Sequence, residues 1–90
     1  MGCIDFYKQM YTNNKKLVKN GEIKNLIEKI IEYANRLSIK KYQKSKLMDF
    51  LRIAVIFDDQ GYDINQNMVM ELISQYQVSS ENKIVYLKAE

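Results

Sequence analysis

The 90-residue chain contains no histidine, no proline, a single cysteine and only three glycines. Without histidine or a second cysteine, metal clusters of the His/Cys kind and Cys–His or Ser–His catalysis lack their parts, and no glycine-rich loop is present to cradle a phosphate. Neither enzymatic activity, nor a bound metal, nor a cofactor is therefore expected. Cys3 has no internal partner for a disulfide, and a small domain without bridges suits a reducing compartment: the cytoplasm, or the nucleus in a eukaryotic cell. Long apolar runs are missing as well. The longest, Ile53 to Phe57, falls far short of a bilayer span, and the N-terminus lacks the basic-then-apolar pattern of a secretory leader, so a soluble chain without a membrane is expected. Met1-Gly2-Cys3 has the look of a lipidated start, but Phe6 stands where a myristoylation signal needs Ser or Thr.

What is present is enough apolar material for one core. Hydrophobic residues make up 47% and charged residues 28%, which places the chain outside the disordered class and predicts a single helical domain over residues 1–90. The net charge of +3 is unevenly spread: residues 1–46 carry eleven Lys/Arg against four Asp/Glu, residues 47–90 three against seven. A basic N-terminal half either attracts polyanions or acidic proteins, or is a solvated lysine face, and composition weighs the two about equally.

The absence of proline leaves long helices uninterrupted, and the periodicity predicts an all-α, compact bundle of four to five helices. Ile23, Leu26, Ile27, Ile30, Ile31, Ala34 and Leu37 recur at i, i+3, i+4, i+7 and define a helix over 22–38, with Lys24, Glu28, Glu32 and Arg36 on its solvated side. Ile4, Tyr7, Tyr11, Leu17 and Val18 predict a helix over 4–19, closed by Asn20-Gly21. Leu47, Phe50, Leu51, Ala54 and Val55, widened by Ile53, Ile56 and Phe57, predict a helix over 46–57 that should be the most buried, preceded by a basic linker or first turn. Asn65 is a fitting N-cap for a fourth helix over 66–77 with Met68, Val69, Leu72, Ile73 and Tyr76 inward. Residues 83–87, "KIVYL", suit a strand as well as a helix; Ser79 or Ser80 as N-cap and Glu81 in the first turn favour a short helix over 80–89.

The acidic turn "DDQGYD" invites a test for calcium. Counted from Asp58, a twelve-residue EF-hand loop needs Gly at position 63 and Glu at position 69, where Asp63 and Val69 stand. Carboxylates that solvate a turn and close a helix end are the better reading.

Residues 47–88 resemble the tri-helical helix-turn-helix domain of small repressors and winged-helix regulators. In that likeness "KLMDFLRIAVIF" is the supporting helix, "NMVMELISQY" the first motif helix, "QVSS" the turn and "ENKIVYLK" the recognition helix, with Ile84 and Leu87 inward. The family's usual turn glycine is replaced by Gln77, and its small residue four positions earlier by Ile73. The resemblance implies that the second helix enters a major groove with Asn82 and Tyr86 outward and Lys83 at its flank. Lys40, Lys41, Lys44 and Lys46, from the basic half, would then supply phosphate contacts. Such proteins commonly dimerise, and Ile4, Tyr7 and Tyr11 offer a contact face for a homodimer. Residues 47–73, "LMDFLRIAVIFDDQGYDINQNMVMELI", are also similar to a helix–loop–helix piece of the homology domain shared by inositol trisphosphate and ryanodine receptors. Leu51, Asn65-Gln66 and Glu71 coincide with like residues there, whereas Val55 and Phe57 replace its cysteines. That likeness implies a protein-binding helical segment. The expected function is thus a non-enzymatic macromolecule-binding protein: a nucleic-acid-binding regulator first, a protein-interaction adaptor, inhibitor or small subunit as the alternative.

Overall fold

A computed structural model describes residues 3–18, 22–58 and 64–87. The apolar stripe read from the sequence forms α2, Ile23–Arg36, with Ile23, Leu26, Ile27, Ile30, Ile31 and Ala34 all buried; the helix is shorter than the expected 22–38, because Leu37 turns extended as its C-cap and is half-buried. Around it lie α1 (Cys3–Lys15), α3 (Lys41–Ile56), α4 (Gln66–Ser74) and a two-stranded antiparallel hairpin, β1 (Tyr76–Val78) with β2 (Ile84–Tyr86). The core is one cluster: the α2 stripe, Tyr7, Met10 and Tyr11 of α1, Leu47, Met48, Leu51 and Val55 of α3, Val69 and Ile73 of α4, and Ile84 of β2. Among the described residues no helix is long and apolar enough to cross a membrane.

The helix expected over 4–19 stops at Lys15. Asn14 is buried and donates its Nδ2 to the Met10 carbonyl at 2.9 Å, while Leu17 and Val18 bond back only three residues, to Asn14 and Lys15. A side chain that competes for a helical carbonyl, followed by a tightened last turn, is how such a helix ends. The Asn20-Gly21 stop lies outside the described residues. The proposed contact face on α1 is also corrected, since Tyr7 and Tyr11 belong to the core and only Ile4 of the three is exposed. The Tyr7 hydroxyl donates to the Gln43 carbonyl and that of Tyr11 to the Asp58 carboxylate, with the Phe50 ring 6.2 and 6.3 Å from theirs. These bonds span α3 from its first turn to the residue beyond its C-cap, and so fix α1 along it. Lys15 completes the far end with an ion pair to Asp58 at 2.9 Å, where the carboxylate is almost wholly buried.

α3 begins five residues earlier than expected. The Gln43 Oε1 accepts from the Lys40 backbone N–H at 2.9 Å, so of the two forms open to the basic stretch, linker or first turn, it takes the helical one from Lys41 on. Nor is α3 the most buried helix: Ile53 is 58% and Phe57 77% exposed, and these two widen an outer face instead of the core. Asn65 caps α4 as expected, its Oδ1 accepting from Met68 N–H at 3.1 Å.

The all-α expectation fails over the last segment: of the two forms that residues 83–87 suit, the strand is realised and the favoured helix over 80–89 is not. Ser79 N–H donates to the Lys83 carbonyl, Asn82 N–H to the Ser79 carbonyl, and Asn82 adopts a left-handed φ of 62°. This is a three-residue hairpin loop, a type I turn closed by a left-handed residue. The Ser79 hydroxyl accepts from Glu81 and Lys83 N–H, as an N-cap would, and a type I turn begins with the same right-handed backbone as a helix. The two diverge only at Asn82. α4 accordingly ends at Ser74 rather than 77, with Tyr76 in β1.

Ile30 is fully buried at the centre of the α2 stripe, so Ile30→Ala should cost about 2–5 kcal/mol of stability through lost burial and the cavity left behind. A denaturant melt that shifts by less than about 0.5 kcal/mol would place the stripe outside the core.

Candidate functional site

The fold separates the seven side chains expected to bind nucleic acid into four places. Asn82 and Lys44 form an internal lock. The Lys44 ammonium, on a side chain with 2% of its surface exposed, donates to the Asn82 backbone carbonyl. Asn82 in turn donates its Nδ2 to the Ile39 carbonyl in the link between α2 and α3, and its Oδ1 is buried without a hydrogen-bond partner. Its amide therefore lies inside the protein, and the expected recognition helix that would have carried it to base edges does not form. Burial first, and the nearby Lys83 ammonium second, push the Lys44 amine below its ordinary value of 10.5.

Lys40, Lys41 and Lys83 form the second group. All three are exposed; Lys40 and Lys41 start α3, and Lys83 follows Asn82 at the turn that docks there. They make one basic corner, with Glu81 in the same turn. Lys46 stands apart, since at about 100° per residue it lies roughly 160° around α3 from the buried Lys44.

Tyr86 belongs to a fourth place. It faces Tyr76 across the hairpin, ring centroids 5.3 Å apart and edge to face, a cross-strand aromatic pair. Beside the pair lies a cleft of about 370 Å³ lined by Lys24, Glu28, Leu72, Gln75, Tyr76 and Tyr86. It adjoins a second of about 310 Å³ that shares Lys24, Leu72 and Gln75 and adds Met68 and Glu71. Burial, then the Glu28 carboxylate, then Tyr86 raise the Tyr76 hydroxyl above 10.0, so it remains a neutral donor at physiological pH. The cleft thus has an apolar floor from α4 and the hairpin, and a mixed charged rim from α2 and α4.

The sequence reading placed Met68, Leu72 and Tyr76 together on the inner side of one helix. Met68 is instead exposed and Leu72 half-buried, and Tyr76 is on a strand because α4 ends at Ser74. The signal for the hairpin was present in "SSENK", where Asn is the commonest non-glycine residue to turn left-handed, followed by the β-branched "IV". Nothing in the sequence marks Lys44 as the one lysine that is buried among the described residues. Of the acidic turn, Asp58 is held by Tyr11 and Lys15, and Asp59 and Asp63 lie outside the described residues. Among the described residues no group of three His, Cys, Asp or Glu gathers as for a metal.

Two outcomes test this arrangement. Asn82→Gly keeps the left-handed turn and loses the side-chain bond, whereas Asn82→Ala loses both; the alanine variant should be less stable than the glycine variant by about 1 kcal/mol. Equal melts would mean that the backbone strain is not borne at residue 82. For Lys44, a depressed folded value means that the unfolded chain binds more protons between that value and 10.5, so stability should rise with pH across that window. Lys44→Met should remove this rise and leave the fall above 10.0, where unfolded Tyr76 ionises before folded Tyr76 does. Parallel pH–stability curves for the two proteins would show that Lys44 is not desolvated.

The chain matches no protein-family model, no curated protein and no solved structure.

Proposed function

We propose that the chain is a non-enzymatic docking domain that binds a partner protein along the cleft between α2, α4 and the hairpin. The observation that carries this reading is the continuous lining by Met68, Leu72, Tyr76 and Tyr86, with Lys24, Glu28 and Glu71 on the rim. Together the adjoining clefts have the size of a site that takes several side chains, and aromatic and methionine residues at the centre of a charged rim are the composition of protein-recognition surfaces. Exposed methionine adapts its shape to a partner, and the Tyr76 hydroxyl and Gln75 offer polar contacts that set register. Apolar side chains from the partner would fill the floor, while the opposed charges of Lys24 and Glu28 select its flanking residues.

A second reading, binding to nucleic acid, keeps one observation in its favour: Lys40, Lys41 and Lys83 collect at one corner. Phosphate contact without base reading is the form it would take, because the Asn82 amide is engaged with Ile39.

One experiment separates the two. The purified chain serves as bait in extract with and without nuclease, beside a Met68→Glu/Tyr86→Asp double variant and a Lys40→Gln/Lys41→Gln/Lys83→Gln triple variant, all checked for equal melting temperature. Docking in the cleft predicts a nuclease-resistant protein partner that the double variant loses by at least about tenfold and the triple variant keeps. Binding that nuclease removes, that falls steeply with salt and that the triple variant abolishes would replace the protein reading with the phosphate one.

A further inference from the structure

The outer face of α3 carries an exposed stripe that the cleft does not use. Tyr42 is 56% and Ile53 58% exposed, the Asp49 side chain is 70% exposed, and Lys46 lies in the open between them. On a helix of 3.6 residues per turn these four side chains fall within about 60° of one another, with Phe57 continuing the row beyond the C-terminus of α3. None of them lines the clefts between α2, α4 and the hairpin.

Read along the helix, the stripe runs apolar, basic, acidic, apolar. That order is complementary to itself when reversed. Set antiparallel about a two-fold axis that passes between Leu47 and Met48, Tyr42 of one copy meets Ile53 of the other and Lys46 meets Asp49, and the symmetry makes each contact twice. Parallel packing would oppose lysine to lysine and aspartate to aspartate, which disfavours it. Asp49 has a competing contact, a 3.6 Å ion pair with Arg52 one turn on, but an exposed pair of that kind holds its members only weakly.

We infer that the α3 stripe is a homodimer interface in which two copies of this chain pack antiparallel, with Tyr42 against Ile53 and Lys46 against Asp49. The inference goes beyond the docking reading and does not rest on it. Its consequence is a bivalent particle with two copies of the cleft. A single helix pair buries little area, so the dimer forms in the weak range and depends on concentration.

Sedimentation equilibrium across a concentration series tests it on the full chain. Wild type should shift from monomer to dimer. Lys46→Glu sets glutamate against Asp49, and Asp49→Lys sets lysine against Lys46; each alone should weaken association by at least about tenfold. An equimolar mixture of the two variants should restore it, because every contact in the mixed dimer is again basic against acidic. Ile53→Asp should remove association in both backgrounds, and the exposure of all three positions means that circular dichroism melts should stay close to wild type. A wild-type chain that remains monomeric throughout overturns the inference, even where the stripe then captures a different protein. A dimer that ignores both charge reversals, or a mixture that fails to re-associate, overturns it as well.

Discussion

A buried lysine holds the fold's last element in place. The Lys44 side chain runs through the interior from α3, and its ammonium meets the carbonyl of Asn82, the residue at which the chain reverses. An ammonium in so dry a position requires an acceptor, and Asn82 presents one because its backbone is left-handed. The Asn82 side chain then reaches the Ile39 carbonyl, which ties the turn to the link ahead of α3. The link ahead of α3 and the first turns of α3 are thereby fixed at one corner to a turn some forty residues further along the chain, and the positions of β1 and β2 follow from it. Ile84 enters the core against α2, while Tyr76 and Tyr86 close one end of the cleft.

The parts of this architecture that were legible in the sequence are those set by local period. The α2 stripe appears as expected from Ile23 to Ala34, with Leu37 just past the helix end, since i, i+3, i+4 spacing of this kind is helical, and the Asn65 cap likewise performs the role its type suggests. The illegible parts are those where local chemistry has two solutions and a distant residue chooses. "SSENK" starts a helix or a hairpin with the same serine-capped turn, and the choice is made by Lys44 and Ile39, which are far away in sequence. The same applies to lysines: Lys40, Lys41, Lys44 and Lys46 look equivalent as a string, yet one is buried, two share a corner and one lies on the outer stripe. Apolar content misled in a related way. Ile53 and Phe57 were assigned to the core of α3 because they are apolar, but their helical phase puts them outside.

The functional reading changes with that phase. A helix-turn-helix interpretation needed Asn82 and Tyr86 on one outward helical face, and the hairpin instead sends the Asn82 amide inward and leaves Tyr86 beside Tyr76. The surface of the described residues includes a cleft with an apolar floor, a small basic corner and an outer stripe on α3. The cleft and the stripe occupy different elements, so a partner at the proposed docking cleft would leave the stripe open.

Asn35 of α2 has a part in keeping the hairpin single. Its Nδ2 donates to the Ile84 carbonyl at 2.9 Å and its Oδ1 accepts from the Ile84 N–H at 2.8 Å. In an antiparallel ladder with Gln77 opposite Val85, the groups of Ile84 point away from β1, towards the place where a third strand would add. One carboxamide satisfies both, as a neighbouring peptide unit would. The outer edge of a two-stranded sheet is ordinarily the template on which another extended chain nucleates aggregation. Here the β2 edge is occupied in the middle by a side chain from a helix, so an uncharged asparagine stands where an added strand would have to pair.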